Sequence, residues 1–177
     1  MLGEAERRAL LDLARASIVS AVHGGAGIDP EPLDLPDVSG VFVTITRCGE
    51  LRGCLGTLHN RAGLAREVAR CAVDSAREDP RFTPVRPEEL PELHLEISVL
   101  GPLEPIEPRP DAFEIGRHGL VVEERAHRGL LLPQVATEWG WTPEQFLRQT
   151  CLKAGLPADA WRRGAQLYRF TAEVFGY

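Results

Sequence analysis

At 177 residues the chain is long enough for one domain, or for two closely interleaved lobes, around a real core. Its 44% hydrophobic and 26% charged content is that of an ordinary globular protein, and a net charge of -6 argues against a general nucleic-acid binder, which carries a basic face. No apolar run reaches membrane-spanning length, and Glu4, Glu6, Arg7, Arg8 and Asp12 interrupt any secretory segment, so a cytosolic protein without a membrane partner is expected.

Residues 4–22 place Leu10, Leu11, Ala14, Ile18 and Val22 at helical spacing, and Gly24-Gly25 supplies a stop. The stretch 28–40, with Pro30, Pro32 and Pro36 among acidic residues, reads as an irregular surface connection. From Val41 the period changes to two. Val41, Val43 and Ile45 face one way, Cys48-Gly49-Glu50 turns the chain, and Leu51 to Leu58 returns, which predicts a β-hairpin.

Residues 62–78 predict a helix with Leu64, Val68, Cys71, Ala72 and Ser75 along one stripe, ended by Asp79-Pro80. Residues 93–100 predict a strand with Leu93, Leu95, Ile97 and Val99 on its core face and His94, Glu96 and Ser98 on the other. Ile115 to Gly119 reads as a tight loop with His118 at its tip. A second hairpin follows, 120–123 and 129–132.

Pro133 suits the first position of a helix running to Trp139. Thr142-Pro143-Glu144-Gln145 is a capping box that opens another helix ending near Gly155, with Phe146, Leu147, Thr150, Cys151 and Ala154 as its buried stripe. Gln166 to Val174 alternates as a last strand, with Tyr168, Phe170, Ala172 and Val174 on one face. The three tryptophans, Trp139, Trp141 and Trp161, are expected in packing rather than as a stacking platform. Helices mixed with antiparallel hairpins indicate the α+β class. No Gly-rich dinucleotide or phosphate-binding signature occurs, and no cofactor is evident.

The segment richest in chemistry is Leu51-Arg52-Gly53-Cys54-Leu55-Gly56-Thr57. In an uninterrupted strand Arg52 and Cys54 share a face, and a fixed cation beside a thiol favours its anion. Two readings of Cys54 stand side by side. In one it is a reactive thiol with His118 as its acid or base. In the other it is a small packed residue, and Gly53 and Gly56 permit a bulge or a close strand approach. A bulge at Gly53 would break the Arg52/Cys54 pairing. The four cysteines, Cys48, Cys54, Cys71 and Cys151, are too scattered for a disulfide scaffold or a structural zinc, so no metal is expected.

Five ordered motifs carry a resemblance: the heptad 51–57, Asp79-Pro-Arg-Phe82, Ile97-Ser-Val-Leu100, Ile115-Gly-Arg-His-Gly-Leu120 and Leu132-Pro-Gln-Val-Ala136. The chain resembles the AMMECR family, whose prokaryotic members are called AmmeMemoRadiSam system protein A, from about Val41 to the C-terminus. Leu55 stands where isoleucine is more usual.

The resemblance implies a single domain over 1–177, an α+β fold of two unequal interleaved lobes with a cleft between them, and no established activity. The matching positions are Arg52, Gly53, Cys54, Gly56, Arg81, Ser98, His118 and Gln134. Family members differ at the equivalents of His59 and His94. A site in the cleft would use Cys54 and His118 for catalysis. Arg52, Gly53, Gly56, Arg81, Glu96, Ser98 and Gln134 would bind a small-molecule ligand or anion. The implied partners are a Memo-like protein and a radical-SAM protein, and the alternative is a non-catalytic interaction module docking on them with Cys54 buried and inert.

Overall fold

In a computed structural model, which describes residues 1–177, antiparallel strands and helices combine as an α+β fold. The chain divides into two compact units, residues 1–100 with 173–177, and residues 101–172. The return of the C-terminus to the first unit makes the two interleaved.

The first unit begins with helix α1 (Glu4–Val22). It buries Leu10, Leu11, Ala14 and Ile18, as the helical period requires. Strands β1 (Gly40–Arg47) and β2 (Glu50–Thr57) form the first hairpin. Its two-residue turn puts Cys48 at φ 52 and Gly49 at φ 80, the double left-handed geometry that matches the twist of paired strands. Helix α2 (Leu64–Arg77) follows, then a short 3-10 helix (Pro87–Glu92) and β3 (Leu93–Leu100).

β1 lies between β2 and β3, antiparallel to both, and β2 is the outer strand. On its other side β3 neighbours β7 (Gln166–Gly176), the last residues of which, from Glu173, belong to this unit. Val41, Val43, Ile45, Leu95 and Ile97 point into one core with α1 and α2. All five residues expected on the α2 stripe are buried.

The second unit holds β4 (Glu104–Pro105), β5 (His118–Glu124), β6 (His127–Leu131), α3 (Pro133–Trp139), α4 (Pro143–Lys153) and β7 from Gln166. Here β5 lies between β6 and β7, and β4 pairs with β7. Phe146, Leu147 and Cys151 of α4 fill the core with Leu120, Val122 and Trp161. Thr142 caps α4 as expected: its hydroxyl accepts from the Gln145 N–H at 3.3 Å, and Gln145 Oε1 accepts from the Thr142 N–H at 2.9 Å.

Four local expectations change. His118 is not at a loop tip; it opens β5 and is buried, and Gly116 takes the left-handed turn before it. Ser98 does not share the exposure of His94 and Glu96, being fully buried. β7 buries Leu167, Phe170 and Phe175 rather than one alternating face, because its two ends serve different cores. Trp161 is core, whereas Trp139 is 71% exposed and stacks on Trp141 at 6.1 Å.

Candidate functional site

The heptad is built around a bulge. Ile45 pairs with Gly53 and Thr46 pairs with Leu51, so Arg52 has no partner across β1. The extra residue breaks the strand period, and Arg52 and Cys54 find separate surroundings. Arg52 donates from Nε and Nη2 to the Glu89 carboxylate, at 2.9 and 3.0 Å, and to the carbonyls of Thr83 and Pro84. Its guanidinium therefore braces β2 to the segment after α2, and it shares no partner with Cys54.

Gly53 is required by packing. A Cβ there would lie 2.1 Å from the Ser75 carbonyl oxygen of α2. Ser75 itself ties the layers together. Its hydroxyl donates to the Val43 carbonyl at 2.8 Å and accepts from the Leu55 N–H at 2.8 Å. Gly56 is required too, since a Cβ would meet the Val41 carbonyl at 2.3 Å and the Phe42 ring at 2.4 Å.

Cys54 stands opposite Thr44 on β1, and Thr44 stands opposite Glu96 on β3. The three make one row across the sheet, and Thr44 Oγ1 and Cys54 Sγ are 3.2 Å apart. Two residues along, the row Gly56, Phe42, Ser98 occupies the same face. The Ser98 hydroxyl is fully buried and has no hydrogen-bond partner.

Asp79, which read as the end of a helix and as the first residue of the motif Asp79-Pro-Arg-Phe82, reaches the Cys54 N–H at 3.0 Å through Oδ2. Arg81 donates from Nε to Oδ1 at 3.0 Å and from Nη2 to Oδ2 at 2.8 Å. Nη2 also approaches the Cys54 carbonyl at 3.4 Å. These bonds, chiefly those from the Arg81 side chain, hold the Asp79 carboxyl well below the usual range. The spacing Asp79-x-Arg81 just past a helix end was the available signal.

Burial pushes the Cys54 thiol up, against the opposing pull of Thr44 and Arg81, with Asp79 and Glu96 adding to the rise. Cys54 is half-buried, so its resting form is a neutral thiol, a hydrogen-bond donor and soft contact rather than a ready nucleophile. Cys71 is buried on α2 and pushed up to about 12 by its burial.

His118 and Gln134 belong to the second unit. His118 Nδ1 accepts the Glu114 N–H at 3.0 Å, which puts the ring proton on Nε2. Burial, then Arg169 and Arg117, push its pKa down. The neutral ring so held is a donor through Nε2 and has its Nδ1 lone pair occupied. Gln134 is half-buried in the first turn of α3 and its carbonyl accepts from the Thr137 hydroxyl at 2.8 Å. No three His, Cys, Asp or Glu side chains are grouped to hold a metal ion.

The AMMECR1 family model matches residues 11–175. A protein of Thermococcus gammatolerans is 49% identical, over 94% of this chain and 87% of its own length. A protein of Methanothermobacter thermautotrophicus is 45% identical, over 98% and 95%. The crystal structure of the uncharacterized protein PH0010 from Pyrococcus horikoshii superimposes with a TM-score of 0.86 at 45% identity, covering 94% of this chain and 89% of that one. The match runs along nearly the whole chain, in sequence and in fold: the chain belongs to the AMMECR1 family.

Proposed function

We propose that the chain is an accessory, ligand-binding protein that works with a Memo-like protein and a radical-SAM protein. Cys54 is its ligand-contacting thiol and Arg81 its anion anchor. The observation that carries this reading is the state of Cys54: half-buried, 3.2 Å from the Thr44 hydroxyl, and kept neutral by burial with Arg81 alongside. A neutral thiol without a base among its contacts suits binding better than turnover. The motifs shared with the prokaryotic branch of the family supply the two partner classes.

A second reading is favoured by Arg52. Its guanidinium is taken up by Glu89, Thr83 and Pro84, which suits a heptad that serves as scaffold for a docking surface, with Cys54 inert.

Pull-downs with the purified Memo-like and radical-SAM proteins, under reducing and cofactor-replete conditions, test the proposal. Retention of either partner by the wild type supports it, and retention of neither removes it. Retention weakened by Cys54→Ser favours the ligand-contacting thiol. Retention untouched by that substitution favours the docking surface.

A further inference from the structure

Asp79 is 4% exposed, and its carboxylate accepts four hydrogen bonds from only two residues. Oδ1 takes the Arg81 backbone N–H at 3.1 Å and Nε at 3.0 Å. Oδ2 takes Nη2 at 2.8 Å and the Cys54 N–H at 3.0 Å. Arg81 Nη2 then reaches the Cys54 carbonyl at 3.4 Å. The bonds close a ring: Cys54 N–H to Asp79, Asp79 to Arg81, Arg81 to Cys54 C=O.

β2 has no further strand on its outer side, so this ring takes over at a single residue what a neighbouring strand would do along several. It also fixes a side chain that is otherwise mobile. The Arg81 side chain is 55% exposed, yet its guanidinium is held along one edge by a buried carboxylate and lies 5.4 Å from the Phe82 ring. An arginine so held gives up little rotamer freedom when it meets a ligand.

We infer that Asp79 is the positioning residue of the Cys54 site, holding the Arg81 guanidinium at the Cys54 main-chain carbonyl so that the cation bears on the thiol of the same residue. This rests on the reading of Cys54 as a ligand-contacting thiol. A purely structural Asp79, one that only ends α2 and closes the sheet edge, would stabilise the fold without coupling Arg81 to the thiol.

The charged and titratable groups that bear on Cys54 are Arg81 and Asp79 from the segment after α2, Glu96 from β3 and Cys71 from α2. Only Arg81 among them favours the thiolate. The test reads the Cys54 titration midpoint by 13Cβ NMR in the folded wild type and in Arg81→Gln, Arg81→Lys, Asp79→Asn and the Asp79→Asn/Arg81→Gln double variant.

In the wild-type background, Arg81→Gln raises the midpoint by about 0.5 in pH. Arg81→Lys raises it nearly as far, since an ammonium cannot span both Asp79 oxygens and the Cys54 carbonyl. In the Asp79→Asn background, Arg81→Gln raises it no further. The inference is overturned if Arg81→Gln leaves the midpoint in place, if Arg81→Lys keeps the wild-type value, or if Arg81→Gln acts equally in both backgrounds. Should Asp79→Asn fail to fold, the two Arg81 variants decide. The NMR readout needs no reagent to enter, so a thiol closed to alkylation would sink the ligand-contact reading without disturbing the cycle.

Discussion

Arg52 and Glu89 meet through two parallel hydrogen bonds, with 14% and 3% of their side chains exposed. Arg47 adds a third contact to the same carboxylate at 3.0 Å. Planar two-point pairs of this kind are among the stronger polar contacts in proteins. The arginine of the heptad is thus a brace between β2 and the 3-10 helix at 87–92. Glu89→Ala would leave Arg52 buried without its counter-charge, and the expected cost is about 3 kcal/mol of stability. Urea unfolding reads this directly, and an unmoved midpoint would refute the brace.

The same pair fixes a pH dependence. Glu89 is held at about 2, from an ordinary 4.5, chiefly by its bonds to Arg52. A carboxyl lowered in the folded state contributes stability that is complete above its unfolded value and lost as pH falls through its folded value. Stability should therefore decline as pH falls from about 4.5 towards about 2. Glu89→Gln should flatten that decline, and equal slopes for the two proteins would count against it.

Gly53→Ala tests the close approach of β2 to α2. With a carbonyl oxygen 2.1 Å from the new methyl, strand and helix must separate, at a cost of about 3 kcal/mol or loss of the fold. Ser75→Ala should cost about 1–3 kcal/mol, since it strips the Leu55 N–H of its acceptor and the Val43 carbonyl of its donor. Thermal melts rank the two. A Gly53→Ala protein as stable as the wild type would mean the two elements are not packed this closely.

His118 should titrate below its ordinary 6.5. Protonation requires Nδ1 to give up the Glu114 N–H, so the folded protein stays neutral there while an unfolded chain takes the proton. The fold accordingly loses this contribution as pH falls below about 6.5. Imidazole 15N NMR should find the proton on Nε2 at pH 7, and a proton on Nδ1 would contradict the assignment.

Periodicity carried most of the fold. Leu10, Ala14 and Ile18 on α1 and Phe146, Leu147 and Cys151 on α4 are buried where their spacing puts them, because burial of one face is what a 3.6-residue period records. Periodicity did not decide the bulge at Arg52, which the glycines Gly53 and Gly56 allowed as one of two readings. The bulge arises where Gly53 must press against α2, a contact made only when distant elements pack, and it undid the expected Arg52/Cys54 pairing. The roles of Asp79 and Glu89 were illegible for the same reason: Asp79 read as a helix stop and a motif position, Glu89 drew no reading, and they are defined by partners 25 and 37 residues away.

In the proposed function Cys54 is a reachable thiol that rests in its neutral form. Alkylation of all four cysteines by iodoacetamide, followed against pH in the folded protein and read by peptide mass spectrometry, tests this most directly. Cys54 should be labelled without unfolding, slowly at neutral pH, with a midpoint above the ordinary thiol value of about 8.5. A midpoint well below that value would make Cys54 an activated thiolate, and complete protection of the folded protein would make it packing; either result would contradict a ligand-contacting neutral thiol.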